Sequence, residues 1–166
     1  MAHLGIMLMA LGMTGNAFVQ QGKEELGVGQ SMELGNYSFQ IARIWEESTD
    51  NFVALHAQVN RIKDGKKVSE MFPEQRLYKA SQTQASEVAI DVTPIRDHYV
   101  VLAGYGSNSS AEFPVGAFHI YINPLVLWVW IGSIVITLGT LLAMLPDVVP
   151  VRAAASVPLA SNEELA

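Results

Sequence analysis

The side chain with the clearest potential for chemistry in this sequence is His3, which lies in an uncharged apolar stretch. A titratable imidazole inside a membrane helix costs free energy unless it has a partner, so an intramembrane histidine is a functional candidate. A neutral imidazole can coordinate a metal or a haem iron, and Met7 and the glycines nearby would leave room for a flat ligand. Alternatively, His3 lies at a helix end, in the membrane interface. Spacing alone leaves both interpretations open.

The other titratable candidates fall on predicted strands, where polar residues are most often surface or hydrogen-bonded groups. They are His56, His98, His119, Arg76, Tyr78, Glu87 and Asp91. The absence of cysteine excludes a disulfide, a thiolate zinc site and a cysteine nucleophile. No nucleotide-binding, zinc-protease or serine-hydrolase motif is present, which disfavours a secreted hydrolase.

Charge is distributed unevenly along the 166 residues. The net charge is −6, and nine of the ten lysines and arginines lie between Lys23 and Arg96. An acidic protein without clustered cations is a poor nucleic-acid binder, so no nucleic-acid partner is expected. The one basic cluster, KDGKK at 63–67, is typical of a hairpin tip. This composition predicts a polar domain held between membrane segments.

A second apolar segment, residues 123–146, predicts a transmembrane helix. Its 21 uncharged residues from Leu125 to Leu145 would form a helix of about 31 Å, against a hydrocarbon core of about 30 Å. Two tryptophans near its start suit the headgroup level. Gly132 and Gly139 share one face, where another helix could approach closely.

The first segment, residues 1–20, also predicts a transmembrane helix, truncated upstream. A signal peptide is the alternative, but the basic leading region is missing. With two spans, the domain between them lies on one side of the membrane. The tail, 147–166, lies on the other side and is predicted to be disordered.

Residues 21–122 predict a small antiparallel all-β domain, a barrel or a sandwich. Residues 51–62 alternate, with Val53, Leu55, Ala57 and Val59 on one face of a strand. Asp64-Gly65 then predicts a tight hairpin turn. About seven short strands are expected, with a long loop at 104–113.

Six stretches together resemble the C-terminal part of the CcmF family, the haem lyase subunit of cytochrome c maturation. They are AHLG (2–5), LGMTGNAF (11–18), GQSMELGNYSF (29–39), FPEQRLYKASQTQASEVAID (72–91), RDHYVVLA (96–103) and NPLVLWVWIGSIVITLGTLLAML (123–145). The resemblance covers almost the whole chain, up to about Leu145.

This resemblance implies a multi-pass protein of the bacterial inner membrane, with its β-domain in the periplasm and its tail, 147–166, in the cytoplasm. The family is thought to accept haem from a haem chaperone and attach it to apocytochrome c. It also carries a transmembrane haem b with two histidine ligands, of which His3 matches one. Pro73, Arg76, Tyr78 and Glu87 match the family's block in the β-domain.

The departures from the family pattern limit what the chain can do alone. The segments that carry the family's other haem ligands are missing, so the N-terminal part is an expected partner and activity in isolation is not expected. Gln75 replaces a usual basic residue, and Asp97-His98-Tyr99 replaces Asp-Leu-Tyr. The alternative function is a non-catalytic membrane-anchored β-domain that binds a protein partner, through a sheet edge or the 104–113 loop.

Overall fold

In the computed structural model, which describes residues 2–145, two antiparallel sheets pack face to face and two helices leave them at one end. The predicted small antiparallel all-β domain is therefore confirmed, and it is a sandwich. The tail predicted for 147–166 lies outside the described residues. The strands begin at Gln20 and end at Pro124, against the predicted 21–122.

Within residues 2–145, ten strands and two α-helices follow one another. They are α1 (Ala2–Thr14), a 3-10 turn (Gly15–Phe18), β1 (Gln20–Gly27), β2 (Ser31–Leu34), β3 (Tyr37–Ser48), β4 (Phe52–Lys63), β5 (Lys66–Met71), β6 (Glu74–Tyr78), β7 (Gln84–Glu87), β8 (Ala89–Val92), β9 (Arg96–Tyr105), β10 (Val115–Pro124) and α2 (Val126–Ala143). One sheet has the order β1-β10-β9-β8. The other has the order β2-β3-β4-β6-β7, with β5 also paired to β4.

The core lies between the two sheets and follows the alternation of the strands. On β4, Leu55, Ala57 and Val59 are buried, as predicted for that face. The fully buried side chains that they meet include Phe39, Ile41, Val100, Leu102, Phe118 and Ile120. Side chains alternate between the two faces of each strand, so each sheet has one apolar face, and the two apolar faces pack together as the core.

The predicted turn at Asp64-Gly65 joins β4 to β5. Both residues have positive φ, 50° and 72°, as a type I′ turn requires, and Asp-Gly is a preferred pair for that turn. The prediction is confirmed. The predicted loop at 104–113 begins two residues later, since β9 continues to Tyr105.

A bulge in β3 changes which side chains face outward. The pairing with β4 shifts between Ile41 and Arg43, so the buried positions change from odd (Phe39, Ile41) to even (Ile44). A bulge inserts one extra residue and reverses the alternation beyond it. Trp45 consequently lies on the outer face.

Pairing of the first and last strands brings both helices to the same end of the sandwich. Gln20 of β1 faces Ile122 of β10, so α1 reaches the sandwich beside the point where α2 leaves it. We call this the helix end of the sandwich. The opposite, distal end carries the turn at 49–51 and the loop at 106–114.

Helix α2 is the one helix within residues 2–145 that is long and apolar enough to cross a membrane, with a mean hydropathy of 2.1 over 18 residues. Helix α1 has 13 residues and is therefore about 20 Å long, less than the hydrocarbon thickness of about 30 Å. That residues 1–20 span a membrane stays a prediction.

Three glycines let α1 and α2 approach at backbone distance. A Cβ added at Gly5 would lie 2.8 Å from the carbonyl oxygen of Gly132, and one at Gly12 would lie 2.7 Å from the backbone nitrogen of Val129. Residues with higher numbers on α1 therefore lie beside residues with lower numbers on α2, so the helices run antiparallel. The close approach predicted for Gly132 is observed, with α1 as the partner helix.

We expect Gly132→Ala to loosen the helix pair. Its new Cβ would lie 2.7 Å from both the Gly5 carbonyl oxygen and the Met9 backbone nitrogen, atoms that cannot rotate away. Overpacking costs about 1–3 kcal/mol, which outweighs the gain of about 1 kcal/mol in helix propensity. The thermal midpoint in detergent should fall. Ala10→Leu, on an exposed face of α1, should leave it unchanged, and an equal fall in both variants would contradict the close contact.

Candidate functional site

His3 lies on the part of α1 farthest from the β-domain, and its side chain is exposed. Gly5, two residues on, packs against Gly132 and Ile136 of α2. Residues two apart on a helix point about 200° apart, so His3 faces away from α2. The imidazole is thus available to another chain or segment.

The register of the two helices also gives the level of His3 along α2. Because Gly5 lies beside Gly132–Ile136 and α1 runs antiparallel to α2, His3 lies at about the level of residue 137. At about 1.5 Å per residue, this level is about 16 Å along α2 from Val126. That distance is about half of a hydrocarbon core of about 30 Å.

The outer face of the larger sheet carries a continuous row of aromatic and charged side chains. We call this row the outer ladder. Its members come from β3, β4 and β6: Arg43, Trp45, Phe52, His56, Glu74, Arg76 and Tyr78. They are side by side because the strands pair in register, with Trp45 opposite His56 and His56 opposite Glu74.

Each neighbouring pair in one half of the ladder is in contact. The Arg43 guanidinium carbon lies 5.0 Å from the centre of the Trp45 ring. The Trp45 and His56 rings stack at 5.1 Å with an angle of 10°. His56 Nδ1 lies 3.0 Å from a carboxylate oxygen of Glu74, and His56 Nε2 lies 3.4 Å from one of Glu47. The imidazole is thus fixed by stacking and by two acidic neighbours.

Arg76 organises the other half of the ladder. It forms an ion pair with Glu74, and its Nη1 lies 3.8 Å from Glu87 Oε1 on β7. Its guanidinium carbon lies 5.2 Å from the centre of the Phe52 ring, which meets Tyr78 edge-on at 6.0 Å. The structure therefore brings Arg76, Tyr78 and Glu87, three of the four predicted block residues, into one neighbourhood.

Pro73, the fourth block residue, is buried and has a structural position. It lies between β5 and β6, both of which pair with β4. Its carbonyl accepts a hydrogen bond from the Ala57 amide at 3.0 Å. Proline has no amide hydrogen to donate, so it suits the break between the two paired segments. Pro73 thus sets the start of β6 and the register of Glu74 and Arg76.

A second polar cluster joins the two sheets inside the sandwich. Arg61 of β4 is 5% exposed and His98 of β9 is fully buried. Arg61 Nη1 lies 3.1 Å from each ring nitrogen of His98, its Nη2 lies 2.7 Å from Asp91 Oδ2, and its Nε donates to Ser69 Oγ at 3.1 Å. The Tyr37 ring meets the imidazole edge-on at 4.6 Å. His98 is thus a hydrogen-bonded core histidine, in agreement with the sequence interpretation.

Burial and the neighbouring Arg61 charge both favour the neutral imidazole. Burial, followed by the positive charge of Arg61, lowers the pKa of His98 from 6.5 to about 4. Next to it, Asp97 is 3% exposed, and burial raises the pKa of its carboxyl group. At neutral pH the cluster therefore holds Arg61 charged against Asp91, with His98 as a neutral acceptor.

At the distal end, the 106–114 loop borders a cavity of about 580 Å³ between the sheets. The Tyr105 hydroxyl donates to Glu46 Oε2 at 2.7 Å. Tyr105 is 52% exposed, so its burial is only partial; this partial burial and the hydrogen bond to Glu46 raise its pKa to about 12. Glu25 accepts hydrogen bonds from the backbone amide and the hydroxyl of Ser107, at 2.9 and 2.7 Å. The Ser107 contacts tie the loop to β1, and the Tyr105 contact ties the end of β9 to β3.

The chemistry that these groups support is recognition. Within residues 2–145, no group of three or more His, Cys, Asp or Glu side chains could hold a metal ion. Aromatic residues and arginine are the types enriched at protein interfaces, and the outer ladder presents both. Sequence reasoning did not predict Arg43, Trp45, His56 or Glu74 as a site. The signal available was cross-strand pairing, which depends on the β3 bulge.

Comparison with known proteins gives one consistent family. A sequence model described as "CcmF C-terminal beta-sandwich" matches residues 17–124. The chain is 33% identical over 151 residues to cytochrome c-type biogenesis protein CcmF of Haemophilus influenzae, covering 86% of this chain and 22% of that protein. It is 30% identical over 146 residues to the CcmF protein of Pseudomonas aeruginosa, covering 87% and 22%. The chain thus spans about a fifth of these relatives.

A solved structure has the same fold. The chain of a protein named "Cytochrome c Heme Lyase CcmF" superposes with a TM-score of 0.65 at 14% sequence identity, over 87% of this chain and 24% of that one.

We expect the stability of the sandwich to depend on pH through His98. Its pKa is about 4 when folded and 6.5 when unfolded. Above pH 6.5 the imidazole is neutral in both states. As the pH falls from 6.5 to 4 the unfolded state takes up the proton first, and the folded state loses about 3 kcal/mol. His98→Gln, which keeps a hydrogen-bond acceptor for Arg61, should remove this loss of stability between pH 6.5 and 4.

The measurement is thermal unfolding in detergent between pH 4 and 7.5, followed by the circular dichroism of the strands. The raised pKa of Asp97 acts in the opposite direction but is shared by both proteins, so the difference between them isolates His98. His119→Gln, at a half-buried position on β10, should keep the wild-type profile. Identical profiles for wild type and His98→Gln would contradict the prediction.

Proposed function

Because the chain belongs to the CcmF family, of which residues 17–124 form the C-terminal β-sandwich, we propose that it works as the C-terminal portion of a cytochrome c haem lyase. In this role it contributes one axial ligand to a transmembrane haem b. Its β-domain, in the periplasm, handles haem for covalent attachment to apocytochrome c. The remaining part of the lyase, a haem chaperone and apocytochrome c are its partners.

The membrane placement is supported by α2 and by the apolar surface of both helices. Exposed large apolar side chains cover them, including Leu4, Ile6, Met13, Trp130, Ile134, Leu138 and Leu141. Such a surface is favourable in lipid or against other membrane helices. In this proposal the chain is anchored in the bacterial inner membrane and the sandwich lies at the periplasmic surface.

The observation that carries the haem proposal is the place of His3. Its imidazole is exposed on the face of α1 that α2 leaves uncovered, about halfway along α2. No acidic or basic side chain is present in α1 to hold it as a charged group. A neutral imidazole at that depth fits an axial haem ligand, and one histidine supplies one of two ligands.

Haem b bound at this position would supply electron transfer, keeping the substrate haem reduced. This chain provides ligation and orientation: α1 is held at backbone distance from α2, which fixes the depth of His3. The thioether bonds form between haem vinyl groups and substrate thiols. With one ligand and about a fifth of its relatives' length, the chain is not expected to be active alone.

The test is His3→Ala in the assembled lyase, purified from membranes. Loss of the ligand should weaken haem b affinity by at least about 10-fold, since removing even a ligand's supporting partner costs 10–100-fold in metal affinity, and the haem b absorbance per purified protein should fall. Oxidised and reduced spectra measure it.

His119→Ala is the matched control, because it removes a histidine of the sandwich instead of one in the helix pair. It should keep the wild-type spectrum. Unchanged haem b content in His3→Ala would exclude His3 as a ligand.

The outer ladder favours a second candidate function, a non-catalytic membrane-anchored module that binds a protein partner. Trp45, Arg76 and Tyr78 are partly exposed and are of the types that most often dominate binding energy. This function needs no haem on the chain. The His3→Ala variant distinguishes the two functions, because it should lose haem b but keep partner binding.

For the ladder we expect Trp45→Ala to weaken binding to apocytochrome c or to the haem chaperone by more than about 10-fold, as for a central aromatic contact. Titration of the purified assembly with each protein measures the affinity. Ile90→Ala, an exposed apolar position on the other sheet, should bind as the wild type does. Equal affinities for all three proteins would remove the ladder as the binding surface.

A further inference from the structure

Three basic side chains converge on one pocket at the helix end of the sandwich. The pocket has a volume of about 440 Å³ and is lined by Arg61, Lys63 and Arg96, together with Asn36 and Tyr37. None of the described residues that line it is acidic. In a protein whose net charge is −6, this is a local reversal of sign.

Two of these cations have no ion-pair partner among residues 2–145. Arg61 is paired with Asp91, but no ion pair within 4 Å involves Lys63 or Arg96 in the described part of the chain. The Lys63 ammonium group lies 5.7 Å from the centre of the Tyr37 ring. The pocket therefore presents two positive charges that an anion could neutralise.

The rim of the pocket is joined to the start of α2. Pro94 and Ile95 form part of that rim. The Leu125 amide donates to the Ile95 carbonyl at 2.8 Å, and the Trp128 indole donates to the Pro94 carbonyl at 3.1 Å. Ile95 is 65% exposed. Tryptophan at the start of a membrane helix marks the headgroup level, so the pocket opens at that level.

We propose that this pocket binds the phosphate of an anionic phospholipid from the leaflet that α2 enters. Lys63 and Arg96 hold the phosphate, and Asn36 and Tyr37 offer polar contacts for the headgroup. Ile95 and Val68, which also line the pocket, are exposed and lie against the first carbons of the acyl chains. The proposal rests on the proposed function, since it requires α2 to span the membrane.

A lipid phosphate is favoured over a soluble anion by position. The pocket lies beside the headgroup layer, where phosphate is concentrated. Its apolar rim would contact the acyl chains of a lipid but would make no favourable contact with a free ion. The sequence cluster KDGKK, whose first residue is Lys63, lies at the β4–β5 turn beside it. Basic side chains close to a membrane surface contribute about 1 kcal/mol each toward anionic lipid, or about fivefold in affinity.

The experiment titrates the full chain in neutral detergent with dihexanoyl phosphatidylglycerol, dihexanoyl phosphatidylcholine and sodium phosphate, by calorimetry. The double variant Lys63→Gln with Arg96→Gln is compared with Lys23→Gln with Lys79→Gln, which removes two charges away from the pocket. We expect the wild type and the second variant to prefer phosphatidylglycerol by more than about fivefold. The first variant should lose that preference.

Equal binding of both lipids by the wild type would overturn the proposal, as would an equal loss in the two double variants. Sodium phosphate that binds as well as phosphatidylglycerol would mark the pocket as a free-anion site and also overturn it. Alkaline extraction of membranes separates this failure from that of the proposed function. A chain released by alkali does not span, whereas a retained chain without lipid preference overturns the pocket alone.

Discussion

Contact between the backbones of α1 and α2 is the constraint on which the placement of His3 depends. Side chains at Gly5, Gly12 or Gly132 would hold the helices apart, and the level of His3 along α2 would then be undefined. Separately, hydrogen bonds from the Leu125 amide to the Ile95 carbonyl and from the Trp128 indole to the Pro94 carbonyl hold the start of α2 over the Pro94–Ile95 rim. The small glycines thus fix the position of a larger side chain, that of His3, which they do not contact.

The sequence predicted those elements whose structure depends on a pattern within the element itself. The alternation of β4, the Asp64-Gly65 turn and the long apolar helix were each predicted from local pattern, and the structure has all three. Strand β1 has no alternation to mark it, because QQGKEELG contains only one buried apolar residue, Leu26. Its strand conformation is determined by pairing with β10, which no local pattern reports.

The outer ladder was not predictable, for a related reason. Unbroken alternation from Tyr37 would place Trp45 with Phe39 and Ile41 in the core, and only the register shift after Ile41 turns it outward. His56 and Arg61 present the same difficulty on β4, since the odd spacing between them sends one outward and the other into the core. Residue type alone does not separate a partner-facing side chain from a buried one.

The pairing of β1 with β10 also dictates an order of assembly. Gln20 and Ile122 are paired although about 100 positions of sequence separate them. Strand β1 therefore cannot pair with β10 until nearly the whole domain has been synthesised. The β3–β4–β5 hairpins, whose partners are close in sequence, can form much earlier, since short loops close first. Until β10 arrives, β1 has an open edge, the state in which strands most readily pair wrongly. Its charged residues, Lys23, Glu24 and Glu25, are the kind that keep such an edge soluble while it waits.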